Sequence, residues 1–340
     1  MKNYFLPEGD LQRFVENLMA KCPVVAPVAK RSSFVFEELS VPEDLRLDYT
    51  TTILPPKKVF VPPKQDLIKF DEGGFKDCVE AEEKILLGVH PYDIKAIAMM
   101  DYIHEESNFD IYYHSSRNKT TIIGSNVQNH HKRAFFGSVC KELKVAGHDM
   151  FLTKISGGYF VEVLTEKGEA LISSGNFTEA SQAQADEAKA VNEKADADCP
   201  EALHNTSTEI KHKVRMYYDS DIWKRRSEDC FSCGSCNIVC PTCYCFDIQD
   251  NWGLGTADGK RYRRWDACMT CEFSEVSVQG GKENFREDRA ERFRHRIMRK
   301  TAFLNDKLGG PACVGCGRCS AACTADIANP VAVINEIMEK

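Results

Sequence analysis

The chain has 340 residues, 43% of them hydrophobic, enough to bury two cores, and a formal net charge of −7. That acidic balance argues against nucleic acid as a partner, because phosphate neutralisation needs clustered Lys and Arg. No stretch approaches the ~20 consecutive apolar residues of a membrane helix, so contact with a membrane is expected only through partners.

Leu11, Phe14, Val15, Leu18 and Met19 recur at helical spacing and predict an amphipathic opening helix packed on a core. Short apolar runs at Lys58–Val61, Lys84–Val89, Ile111–Tyr113 and Thr120–Ile123 predict strands. Behind Pro91, the segment Asp93–Tyr102 predicts a helix. Phe151–Ile155 and Tyr159–Leu164 flank Ser156-Gly157-Gly158 and predict a hairpin with glycine at its turn. From Thr178 to Asp198 the sequence turns to Ala, Glu, Gln, Lys and Asp, which suits an exposed helix leading into a second over Glu209–Tyr218. The expected organisation is α+β: a mixed α/β domain over residues 1–215, its helical linker spanning about 178–215, then a dicluster ferredoxin-like domain over 216–340.

Twelve of the sixteen cysteines lie from Cys230 onward. Cys230-Phe-Ser-Cys233-Gly-Ser-Cys236-Asn-Ile-Val-Cys240 is answered by Cys313-Val-Gly-Cys316-Gly-Arg-Cys319-Ser-Ala-Ala-Cys323. Three thiolates at two-residue intervals wrap one [4Fe–4S] cube, and the fourth, three residues on, reaches the other cube. The expected ligation is therefore crossed: Cys230, Cys233, Cys236 and Cys323 for one cluster; Cys313, Cys316, Cys319 and Cys240 for the other. Zinc ribbons use pairs of C-x-x-C instead of two runs of four. A disulfide framework is not needed at this length, and the charged start, Met1 to Lys21, lacks the apolar core of a secretory signal. Reduced thiols point to the cytoplasm.

Between the runs, Cys243, Cys245, Cys268 and Cys271 form a C-x-C and a C-x-x-C pair. They are ligands for a third cluster or buried free thiols packing as small apolar residues. The segment Phe285–Lys300 predicts a helix with Arg289, Arg292, Arg296 and Arg299 near one face. Either that face is solvated, with Asp288 pairing to Arg292, or its cations lie beside the thiolate clusters, favour their reduced state and dock an acidic partner. There is no G-x-G-x-x-G after a strand, no Walker loop, no H-E-x-x-H and no G-x-S-x-G. His90, His114, His130 and His131 have no recognisable catalytic partner spacing, so no catalytic residue is assigned.

Cys230-Phe-Ser-Cys-Gly-Ser-Cys-Asn-Ile-Val-Cys-Pro-Thr-Cys-Tyr-Cys-Phe-Asp247, Arg263-Arg-Trp-Asp-Ala-Cys268 and Glu291-Arg-Phe-Arg-His-Arg-Ile-Met-Arg-Lys300 together resemble one family. It comprises the iron–sulfur beta subunits of cytoplasmic sulfhydrogenases, their iron–sulfur counterpart in anaerobic sulfite reductase, and the iron–sulfur subunits of the flavin oxidoreductase associated with heterodisulfide reductase. Gly88-Val-His-Pro-Tyr-Asp-Ile-Lys-Ala-Ile97 and Thr121-Ile-Ile-Gly124 are similar to the family's first domain. The resemblance implies an electron conduit that links a flavin- and NAD(P)-binding diaphorase to a hydrogenase, sulfite reductase or heterodisulfide reductase unit. Family members often carry a Cys-Phe-Cys element and a Pro-Cys-Asp element where this chain has Ala134-Phe135-Phe136 and Pro91-Tyr92-Asp93. An additional metal site in the first domain is therefore not expected. The second run also ends Cys323-Thr324, without the usual proline, which bears on chain direction more than on ligation. Two rival readings remain at this point: a sulfur-compound reductase working at an open cluster on the inner cysteines, and a structural metal module serving assembly.

Overall fold

The computed structural model describes residues 2–106, 109–140, 147–204 and 207–339. In chain order the strands are β1 (Lys2–Pro7), β2 (Val24–Lys30), β3 (Ser33–Glu38), β4 (Lys64–Asp71), β5 (Gly74–Asp77), β6 (Lys84–Val89) and β7 (Thr120–Ser125). They continue with β8 (Met150–Ile155), β9 (Gly158–Val163), β10 (Thr178–Glu179), β11 (Phe246–Trp252), β12 (Gly259–Trp265), β13 (Glu275–Val278) and β14 (Gly281–Asn284).

An eight-stranded sheet in the order β10-β1-β9-β8-β7-β6-β2-β3 forms the first half. Its centre, β2, β6, β7 and β8, is parallel. β6 and β7 are buried almost throughout, as parallel strands covered on both faces must be. Alternation then sorts their side chains. Ile85, Leu87 and Ile123 join Phe14, Val15 and Leu18 of the opening helix, Leu11–Met19, in one core. Leu86, Val89 and Ile122 join Ile94, Ile97 and Tyr113 in the other. The helix expected after Pro91 runs Pro91–Glu106. The hairpin forms between β8 and β9, and Gly157 at its turn has φ of 76°. The Ala/Glu-rich segment is helical over Gln182–Ala197, with Ala188 its only buried residue among those described.

Two predicted strands are not strands. Ile111–Tyr113 opens a helix, Ile111–Lys119, because the Asp110 carboxylate accepts from the Tyr112 and Tyr113 amides at 3.0 and 3.1 Å. An N-cap of this kind outweighs the strand preference of Ile-Tyr-Tyr. Lys58–Val61 lies in and just beyond a 3₁₀ turn, Pro56–Val59. There Pro55 and Pro56 fix φ and supply no ladder donor.

A second sheet has the order β11-β12-β4-β5, with β12 antiparallel to β4 from Gly259↔Phe70 to Arg264↔Lys64. Residues 64–77 thus share a sheet with the cysteine-rich half. The Arg-rich segment is a helix, Arg289–Met298, continued by a π-helical turn, Arg299–Phe303. Its Phe293, Ile297 and Met298 pack with Ile210, Val214, Trp223, Val333 and Ile337. The solvated-face alternative fails for Arg292 and Arg296, which are buried, and holds for Arg289, which is exposed. Asp288 does not pair with Arg292 but caps the helix through the Ala290 amide, while Arg292 donates to Met269 O, Arg286 O and Ser232 Oγ.

Candidate metal centre

The two cysteine runs fold alike. Each is a loop that passes through left-handed backbone and ends in one helical turn: Ser232 and Gly234 before Ser235–Ile238, Gly315 and Gly317 before Arg318–Ala321. Successive backbone N–H groups in such loops form concavities that favour anions. Glycine is needed at Gly315 for space as well as for its φ of 68°, because a Cβ there would lie 2.5 Å from the Phe136 backbone nitrogen. The Phe135 amide donates to Gly315 O at 2.8 Å, fastening the loop to the first half of the chain.

Cys240, Cys313, Cys316 and Cys319 line one cavity, walled by Phe135, Pro241, Val314 and Pro330. These are the four residues of the second expected cluster, with Cys240 contributed by the other run. Cys230 and Cys323 pack against the core that contains Cys236, and Cys319 does so too. Cys233 is exposed, its sulfur 3.3 Å from Ser235 Oγ. Among the described residues no three His, Cys, Asp or Glu side chains gather closely enough to hold a single metal ion. Four thiols set around one cavity are a donor set that fits a [4Fe–4S] cluster.

The inner cysteines divide. Cys243, Cys245 and Cys268 line a second cavity with Tyr244, Phe246 and Phe273. Asn237 Nδ2 donates to the Cys243 and Cys268 sulfurs at 3.4 and 3.2 Å. Cys271 is not part of that lining, and its sulfur lies 3.6 Å from Asn284 Nδ2. A hydrogen bond from Cys243 holds the Cys240 thiol well below its ordinary pKa, and Lys300 and Arg296 act in the same direction.

Buried cations surround the turn between Cys240 and Cys243. Lys57 Nζ donates to Cys240 O at 2.8 Å and Cys243 O at 2.6 Å, over the Trp265 ring. Lys300 Nζ donates to Thr242 Oγ1 at 2.7 Å and to Thr242 O at 3.1 Å. Arg296 Nη2 donates to Cys236 O at 3.3 Å. Burial pulls Lys57 below the usual lysine value; for Lys300 burial acts likewise, but the Cys240 and Cys243 sulfurs outweigh it and raise its pKa. Arg318, between Cys316 and Cys319 in sequence, forms a two-pronged ion pair with Asp93, both contacts 2.6 Å, and donates to Thr52 O and Oγ1. Lys57, Asp93, Asn237 and Arg318 carry no role in the sequence taken alone. Arg318 and Asn237 were marked only by lying inside the runs, and Asp93 and Lys57 come from segments distant in sequence.

A family model described as a 4Fe-4S dicluster domain matches residues 229–327. The chain is 32% identical over 318 residues to sulfhydrogenase 2 subunit beta of Pyrococcus furiosus, a match covering 93% of this chain and 92% of the relative.

Proposed function

The chain belongs to the iron–sulfur beta subunit family of sulfhydrogenases, and on that premise we propose that it relays electrons inside a multi-subunit oxidoreductase complex. The dicluster domain brings two [4Fe–4S] clusters, which when bound supply one-electron storage and transfer. The observation that carries the reading is the cavity shared by Cys240, Cys313, Cys316 and Cys319, which supports crossed ligation between the runs. Cys230, Cys233, Cys236 and Cys323 are proposed for the other cluster. Cys243, Cys245 and Cys268, gathered on one cavity beneath Asn237, are proposed to hold a third, with Cys271 drawn in on loading or replaced by a non-cysteine ligand.

The chain's own residues shape the path. Phe135, Val314 and Pro330 keep water from the second cluster's thiols, and the left-handed loops turn backbone N–H groups toward the sulfurs, a tuning of cluster potential. The inner cavity shares Tyr244, Phe246, Arg299 and Leu304 with a surface groove lined by Tyr102, Phe109 and Phe303, an opening near which a partner's redox centre can approach. The proposed partners are a flavin- and NAD(P)-binding diaphorase subunit on one side and a hydrogenase module on the other. Sulfite reductase and heterodisulfide reductase units are the alternative terminal partners, and the cytoplasm is the proposed compartment. No helix among the described residues is long and apolar enough to cross a membrane.

Ligation is tested with Cys240→Ser. EPR of the reduced variant should show the cluster of Cys313, Cys316 and Cys319 perturbed and that of Cys230, Cys233 and Cys236 intact; the reverse pattern contradicts crossing. For the third cluster, anaerobic iron analysis should return about twelve irons per chain instead of about eight, at four per cube.

A further inference from the structure

Arg296 and Lys300 lie four residues apart, near the end of helix Arg289–Met298 and in the π-helical turn that extends it. Residues at that interval share a helix face. Both side chains line the cavity of Cys240, Cys313, Cys316 and Cys319, and both line the cavity of Cys243, Cys245 and Cys268. Arg296 is 1% exposed and Lys300 6%. Among the described residues neither is in an ion pair with a carboxylate. Lys300 donates to Thr242, and Arg296 donates to Cys236 O while its Nε and Nη1 have no hydrogen-bond partner.

Two buried positive charges without carboxylates are costly unless anions lie beside them. The groups near at hand that become anionic when they ligate iron are the cysteine sulfurs. Both cations line the cavities of Cys240, Cys313, Cys316 and Cys319 and of Cys243, Cys245 and Cys268, and Arg296 alone also donates to Cys236 O. The π-helical turn bears on this placement. It shifts the register of the helix just at Arg299–Phe303, a distortion often found at functional sites.

We propose that Arg296 and Lys300 form a cationic partition between the two thiol-lined cavities, raising the electron affinity of both so that centres in both can be reduced in the same potential range. Each one-electron reduction adds a negative charge to its site, and a reduced centre in one cavity repels an electron entering the other. Cations common to both walls offset that repulsion at short range and in a medium of low polarisability, where they act most strongly. The role is one of positioning charge: neither side chain takes part in electron transfer itself. The inference rests on the proposed assignment of iron–sulfur clusters to these two sets of thiols.

The test is an EPR-monitored potentiometric titration, with dithionite as reductant, of the full chain loaded anaerobically with iron and sulfide. Iron is counted in every sample. Lys300→Met should keep the parent's iron content and lower the reduction equilibrium of the Cys240-ligated and inner centres by tenfold or more, 59 mV for a one-electron couple. Lys300→Arg should restore it. The centre of Cys230, Cys233 and Cys236 should move less in Lys300→Met than in Arg296→Gln, because Arg296 alone of the pair reaches Cys236. Unchanged potentials at full iron content overturn the partition. If Lys300→Met assembles less iron than the parent, Arg296→Gln carries the same comparison, and an absent shift there overturns the proposal equally. A parent chain that binds no cluster at these thiols would instead refute the assignment on which the proposal stands, a result the iron count separates from a failed shift.

Discussion

At the scale of single residues, Asp93 and Arg318 join the two halves of the chain. Both are almost wholly buried, and the guanidinium meets the carboxylate in two parallel contacts. The pair ties the helix Pro91–Glu106 to the loop that carries Cys316 and Cys319. Removing the carboxylate with Asp93→Ala leaves a buried, uncompensated cation, and breaking such a pair costs about 3–5 kcal/mol. The expected outcome is a large drop in the urea midpoint under anaerobic conditions; a midpoint equal to the parent's contradicts it. The eight outer cysteines could be singled out in the sequence because ligand spacing is a local property. Asp93 could not, since nothing within its own segment distinguishes an ion-paired aspartate from a solvated one. The same holds for Arg296: its place in an Arg-rich helix suggested either a wet face or a cluster neighbour, and only its burial beside Cys236 removes the wet face.

At the scale of elements, the loops between cysteines are held in shape by glycine. Gly315→Ala would place a Cβ against the Phe136 backbone, and left-handed backbone adds about 1–2 kcal/mol for a residue with a side chain. We expect this variant to lose roughly one cube's iron, about four atoms, while the spectrum of the Cys230 run persists. Full iron content would show that the loop re-forms without glycine. Periodicity made the sheet's central strands legible, since continuous apolar runs such as Lys84–Val89 have few other places to go. Where a short apolar run was governed by its neighbour, the reading failed. Asp110 turned Ile111–Tyr113 into a helix start, and the Pro55-Pro56 pair set the 3₁₀ turn Pro56–Val59 where Lys58–Val61 was expected to be a strand. The β12–β4 pairing was also invisible, because a register between strands so far apart in the chain leaves no local mark.

For the whole molecule, a buried and a half-buried histidine give a pH dependence with a definite sign. His104 lies near the end of the helix Pro91–Glu106 and His148 just before β8, and burial lowers each from 6.5 to about 4. Between those values the unfolded chain binds protons that the folded chain does not. Stability contributed by these groups is complete above pH about 6.5 and is lost as pH falls toward about 4. Anaerobic thermal unfolding should therefore show a falling midpoint across that window, and His148→Gln should flatten the slope; an unaltered slope contradicts the assignment.

The proposed role of the whole molecule is to conduct electrons and leave the chemistry of substrates to partner subunits. Four of its cysteines line one cavity in a domain of the dicluster type, and the buried side chains of Arg296 and Lys300 line that cavity with them. The most direct test purifies the complex through a tag on this chain and assays it beside the chain alone, both anaerobic and fully loaded with iron. The single chain should be reduced by dithionite yet turn over neither NAD(P)H, hydrogen nor sulfur compounds, whereas the complex should. Turnover by the single chain at the rate of the complex would contradict it and make this chain the enzyme.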